Sequence, residues 1–244
     1  MSLVSASSFI GGIKEYTFRG IQQLPLVLTM TSFIFTITTG SIAHTTMFTG
    51  LAFAMPVFTY LSQVILGKIL QSMAPEKGDQ WKRSMVDTCN IITDYKSLDK
   101  IGYYTQDINS GSVVPSFWIT SIGFFFGYIF ANAYDTFKEP ESDSSNPMGY
   151  EKRLTMGLYA TISSVLIFLL LMIFRFTFMS NCEGGGTMGK VLSGFFGILS
   201  LGIGVGFYML SIQCGARSSD MLGILSQILP ASATSPTPTV CLAS

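Results

Sequence analysis

The sequence predicts an all-α fold: a polytopic transmembrane helical bundle of about five spans, with interfacial helices and an extended C-terminal arm. Three observations predict it. Between Arg19 and Lys68 lie 48 residues without one Lys, Arg, Asp or Glu. Charged residues make up only 11% of the chain, against about 25% in a soluble domain. Three further stretches, 115–134, 154–174 and 191–213, carry no charge, and each matches the about 20 helical residues that cross a bilayer core.

Residues 1–23 read as an N-terminal interfacial segment. Ile10, Ile13, Thr17, Ile21 and Leu24 follow helical spacing, with Lys14 and Arg19 off that stripe. The pattern suits a short helix lying on the bilayer or an extended arm leading into the first span. Ser41-Ile42-Ala43 has the small-x-small form of a signal-peptidase site. The stretch ahead of it is too long for a signal peptide, so no cleavage is expected there.

Residues 24–70 form a transmembrane hairpin. As one helix the uncharged run would be about 72 Å long, more than twice the about 30 Å of a bilayer core. It must fold back, and the turn signal is TTGSIAHTT, residues 38–46. This gives arms at 24–42 and 46–67, with His44 as a turn residue at the membrane edge. Pro25 suits the first turn of the first arm, where a missing N–H is harmless. Pro56 falls inside the second arm and predicts a kink. Gly50 and Ala54 make a small-xxx-small face.

Residues 71–114 are a polar surface loop, too short for an independent catalytic domain. Trp81, Met85, Cys89 and Ile92 recur at helical spacing, and Tyr95, Tyr103 and Tyr104 add aromatics. The composition suits short helices at headgroup level or a docking surface, with Trp81 as a partner-binding residue.

Residues 115–213 hold three transmembrane helices. In the first, Thr120, Gly123, Gly127 and Ala131 make a small face for helix packing. Residues 135–153 carry five acids and three bases and read as a solvated linker, since their acid spacing matches no calcium loop. The next span ends at Arg175, which is expected to snorkel to the headgroups. Gly184-x-x-x-x-Gly189-Lys190 has the skeleton of a phosphate-binding loop. Val191 stands where that motif needs Ser or Thr, and no strand precedes it, so it reads as a Gly-rich turn. The last span offers Ser193-xxx-Gly197 and Gly202-xxx-Gly206 for close helix contact.

Residues 214–244 divide into an amphipathic helix and an extended tail. Ser218 or Ser219 suits its cap, and Asp220 its positive end. Met221, Leu222, Leu225, Ile228 and Leu229 form the apolar face, and Pro230 stops it. With five spans, ten of the fourteen Lys and Arg lie on the side of the N-terminus; if the first arm did not cross, the division would be eight against six. The larger asymmetry places the N-terminus in the cytoplasm.

The balanced charge, 14 basic against 14 acidic residues, lacks the footprint of a nucleic-acid binder. One His and four scattered Cys suggest no metal site. Nothing pairs a nucleophile with a base, so no catalytic residues, no cofactor and no small-molecule substrate are expected. The expected partners are the lipid bilayer and other membrane proteins. A structural membrane protein that links a bilayer to a large assembly accounts for charge-free spans, packing faces and a proline-bearing arm. The alternative is a small transporter or channel subunit, a class that usually places ionisable groups inside its spans.

The tail CGARSSDMLGILSQILP, followed by TSPTPTVCL, resembles the tails of small multi-span membrane and minor capsid proteins of large icosahedral DNA viruses, which enclose an internal membrane beneath the capsid. The resemblance is confined to residues 214–242. It implies a virion internal-membrane or minor capsid protein that contacts capsid subunits from the bilayer. Arg217, Asp220, Pro236 and Pro238 would then be partner-binding residues.

Overall fold

The computed structural model describes residues 16–73, 114–138, 147–179 and 186–216. Residues 1–15, most of the polar loop (74–113), the 139–146 and 180–185 connections and the 217–244 tail lie outside the described residues.

The first arm breaks where its sequence carries Pro25. Helix α1 (Tyr16–Gln22) meets α2 (Leu24–Thr39) at 56°. Pro25 has no N–H, so the Ile21 carbonyl loses its donor four residues on, and the axis bends there. Helix α2 ends at Gly40, whose φ of 61° is the left-handed cap that glycine adopts freely. Ser41 returns the chain to extended geometry, and α3 (Ile42–Thr49) starts at once. The turn is therefore only Gly40 and Ser41. The expected loop through Thr46 is already helix, with the Thr45 and Thr46 hydroxyls turned onto the Ser41 and Ile42 carbonyls.

A π turn, Gly50–Ala54, joins α3 to α4 (Met55–Met73). Pro56 cannot donate to Ala52, and the Met55 N–H reaches back to the Gly50 carbonyl instead. The kink expected at Pro56 takes this form, and Ile42–Ile69 reads as one span. Helices α5 (Phe117–Lys138), α6 (Pro147–Phe178) and α7 (Gly186–Gln213) follow. The stretch expected as a linker over 135–153 is helical at both its ends, and only 139–146 lies outside the described residues.

Pairings along the helices fix their directions. Thr46 meets Tyr128 and Gln63 meets Pro115, so α3–α4 runs against α5. Phe168 meets Phe126 and Arg175 meets Trp118, so α6 also runs against α5. Gly197 meets Ile119 and Tyr208 meets Asp135, so α7 runs parallel to α5. The chain thus alternates direction from element to element around α5. Within its most apolar stretch α5 is 78% buried, against 22% for α6 and 28% for α7, which makes α5 the axis of the bundle.

The rim is apolar, and the interior mixes hydroxyls with large apolar side chains. Thr29, Ser32, Thr59, Ser62, Gln63, Thr120, Ser164, Ser193, Ser200 and Ser211 are buried. Phe33, Ile34, Phe53, Leu166, Leu170, Ile173, Phe195 and Ile198 are exposed. The interior also holds Trp118, Ile119, Ile122, Phe124 and Leu51, so the mark of a lipid-solvated bundle is the apolar rim, where a water-soluble bundle is polar. Among the described residues, four helices are long and apolar enough to cross a membrane, and α1 with α2 makes a fifth if the bent pair is one span. The described residues form an all-α bundle of an integral membrane protein.

Candidate functional site

A seam of glycines binds α5 to α7. A Cβ on Gly127 would overlap the Leu201 carbonyl and come within 2.9 Å of the Leu201 Cα. One on Gly123 would overlap the Gly197 carbonyl, and one on Gly197 would sit 2.8 Å from Ile119 Cγ2. Ala131 is buried further along the same helix. The same closeness recurs elsewhere: Gly157 of α6 leaves room for the Phe137 backbone, and Gly50 for the Phe124 ring.

The expectation for Gly202 and Gly206 needs correction. Both are exposed, and a Cβ on either would meet nothing within 4 Å. Gly204, another glycine of the same run, is the residue in the seam: a Cβ on it would overlap the Phe124 carbonyl and sit 2.9 Å from the Tyr128 N. The reason is rotational: a step of two residues turns a helix by about 200°, so Gly204 inward forces its neighbours outward. The alternating glycines of 202–206 contain both frames, and only the partner surface selects one.

At the end of the bundle where α5 and α7 finish, a phenol ties three elements together. The Tyr128 hydroxyl donates to the Ala43 carbonyl at 2.7 Å and lies 2.8 Å from Thr46 Oγ1. Tyr208 packs edge-on against Tyr128 and donates its hydroxyl to Asp135 Oδ2 at 2.7 Å. His44 also differs from expectation. It is 1% exposed, packs on Phe35 with ring centroids 5.6 Å apart, and holds Nδ1 3.5 Å from Thr39 Oγ1. It joins the two arms of the hairpin from inside, rather than sitting wet at a turn. Toward the start of α5, Thr59 and Thr120 share a hydrogen bond of 2.7 Å, and the Gln63 amide donates to the Pro115 carbonyl at 2.8 Å.

The opposite end carries the largest departure from the sequence reading. Arg175 does not snorkel; it is 1% exposed. Its Nη1 donates to Gln22 Oε1 at 2.7 Å, and its guanidinium carbon lies 5.1 Å from the centre of the Trp118 ring. The Trp118 indole N–H donates to the Ile21 carbonyl at 2.7 Å, which supplies the donor that Pro25 withholds. Arg175, Gln22 and Trp118 come from three helices, and nothing local in the sequence marks their meeting.

Chemically, these contacts join helices. Most Ser and Thr hydroxyls donate to carbonyls of their own helix, as Thr136 does to Asn132. Ser41 and Ser121 keep buried hydroxyl oxygens without a partner. Among the described residues, no group of three or more His, Cys, Asp or Glu comes together at metal-binding range. The expected partner-binding residues Trp81, Arg217, Asp220, Pro236 and Pro238 lie outside the described residues. No protein-family model, curated protein or solved structure matches the chain.

Proposed function

We propose that the chain is a structural membrane protein that ties a bilayer to a large assembly. The observation that carries this reading is the seam itself: α5 touches α7 backbone to backbone at Gly123, Gly127 and Gly204. Packing alone accounts for a contact of that kind, with no pore required. In this reading the lipid-embedded helices hold, no catalysis is involved, and the partner is met outside the bilayer. Trp81 of the polar loop and Arg217, Asp220, Pro236 and Pro238 of the tail carry that contact. The tail resemblance extends the proposal to a virion internal-membrane or minor capsid protein, with capsid or other membrane proteins as neighbours.

A transporter or channel subunit is the second reading, and one observation favours it. Arg175 is buried, and Asp135 bonds Tyr208 within the bundle. Intramembrane ionisable groups of this kind mark solute or proton pathways in many transporters. Two measurements separate the readings. Membranes of the native source are treated with mild detergent and sedimented: the structural reading expects the chain to travel with a large particle. Purified protein in liposomes is then assayed for ion and solute flux. Flux that Arg175→Gln or Asp135→Asn abolishes, with no particle association, overturns the structural reading.

A further inference from the structure

We propose that residues 16–39 form one hinged arm whose α1 end is latched onto the bundle by Trp118 and Arg175, and that this latch decides whether α1 lies on α6. The hinge is the 56° break at Pro25. The latch has three parts at one end of the arm: the Trp118 indole on the Ile21 carbonyl, the Arg175 guanidinium on the Gln22 amide oxygen, and the Phe18 ring 5.6 Å from that of Phe174.

Beyond the hinge, α2 is held against α5 by Leu24, Leu26 and Leu28, which pack partly buried against the clusters around Trp118, Ile122 and Phe124, so it is α1 that depends on the latch. The buried face of α2 is Pro25, Thr29 and Ser32. Thr29 donates to the Pro25 carbonyl, Ser32 to that of Thr29 and Thr36 to that of Ser32, each at 2.8 Å, so these hydroxyls bond their own helix. Of its other large apolar side chains, Val27, Met30, Phe33, Ile34 and Ile37 are exposed. Lipid solvates them equally well whether the arm is docked or free, so they supply no docking force. At the other end α2 leans on its own hairpin partner, through Phe33 on Phe48 and Phe35 on His44. That contact moves with the hairpin and does not fix α1 to α6. Release of the latch lifts α1 from α6 and uncovers the Arg175 guanidinium. The α1 end is therefore a two-position element that covers or presents a fixed cation.

Hydrogen exchange on the full chain in phosphatidylcholine nanodiscs tests this. Trp118→Phe keeps a ring beside Arg175 and removes only the donor; Gln22→Leu removes the other hydrogen bond. The expected result is exchange about tenfold faster over residues 16–24, the scale of one net hydrogen bond, with residues 119–131 of α5 unchanged. Unchanged exchange over 16–24 in both variants overturns the proposal. So does acceleration that spreads to 119–131, because the trio would then support the whole bundle rather than the arm.

Discussion

Replacing Gly127 and Gly202 with alanine, one at a time, puts opposite demands on the same bundle. At Gly127 the new methyl overlaps the Leu201 carbonyl and approaches the Leu201 Cα at 2.9 Å. Backbone cannot step aside by changing rotamer, so the cost falls at the upper end of the about 1–3 kcal/mol typical of overpacking. Alanine returns up to about 1 kcal/mol of helix propensity, which leaves a net loss of about 2 kcal/mol. At Gly202 nothing lies within 4 Å, so only the propensity gain operates there. For a chain of this size each kcal/mol moves Tm by about 2–4 °C. Gly127→Ala is therefore expected to melt roughly 4–8 °C lower than the parent, and Gly202→Ala up to about 4 °C higher. Thermal unfolding in one detergent, followed by intrinsic fluorescence, compares the two directly. A loss at Gly202 equal to that at Gly127 would refute the assigned rotation of α7 and return Gly202-xxx-Gly206 to a helix contact.

Three further substitutions probe the same interior. Gly204→Ala is expected to lower Tm as much as Gly127→Ala, because its methyl meets the Phe124 carbonyl and Tyr128 N; an unchanged Tm would deny that approach. Tyr128→Phe removes the hydroxyl held between Ala43 and Thr46 and should lower the unfolding free energy, measured by denaturant titration in micelles, by about 1 kcal/mol. No loss would mean the phenol is idle. Thr59→Val should cost no more than about 0.6 kcal/mol in the same titration. Its partner Thr120 keeps the Phe117 carbonyl at 3.1 Å, so a loss several times larger would show that the cross-helix bond dominates.

What the sequence made legible was whatever depends on neighbours along the chain. Absence of charge over 20–67 shows by itself that the run lies in lipid and folds back, and four long apolar helices stand where uncharged stretches predict them. Gly123 and Gly127 were readable because Phe124, Phe125 and Phe126 crowd the intervening positions and leave one small stripe. The rest was hidden because it depends on residues far apart. Arg175 at a span end has the local look of a snorkelling cation; its burial needs Gln22 and Trp118, which approach only when α1, α5 and α6 assemble. Gly204 needs the Phe124 carbonyl opposite to distinguish it from Gly202 and Gly206. His44 sits one turn past Gly40 and reads as loop until Phe35 packs over it.

The apolar rim and the close backbone contacts also explain why α5 sits at the centre. A helix surrounded by protein in lipid can bury large apolar groups, as α5 does with Trp118, Ile122 and Phe124, but the tails would solvate these too. It gains from letting neighbouring backbones close in and from pairing polar groups that lipid cannot satisfy. Helix α5 supplies both along its length: Ser116 and Thr120 near its start, Gly123 and Gly127 midway, Tyr128, Asn132 and Thr136 toward its end, all buried. Helix α6 has the opposite composition, with Leu158, Ile162, Leu166, Leu169, Leu170 and Ile173 exposed, and occupies the rim. The deeply buried Arg175 lies where α6 reaches the start of α5 and finds the Trp118 face. Position in the bundle thus follows from how many small and polar side chains a helix can turn toward its neighbours, and α5 has the most.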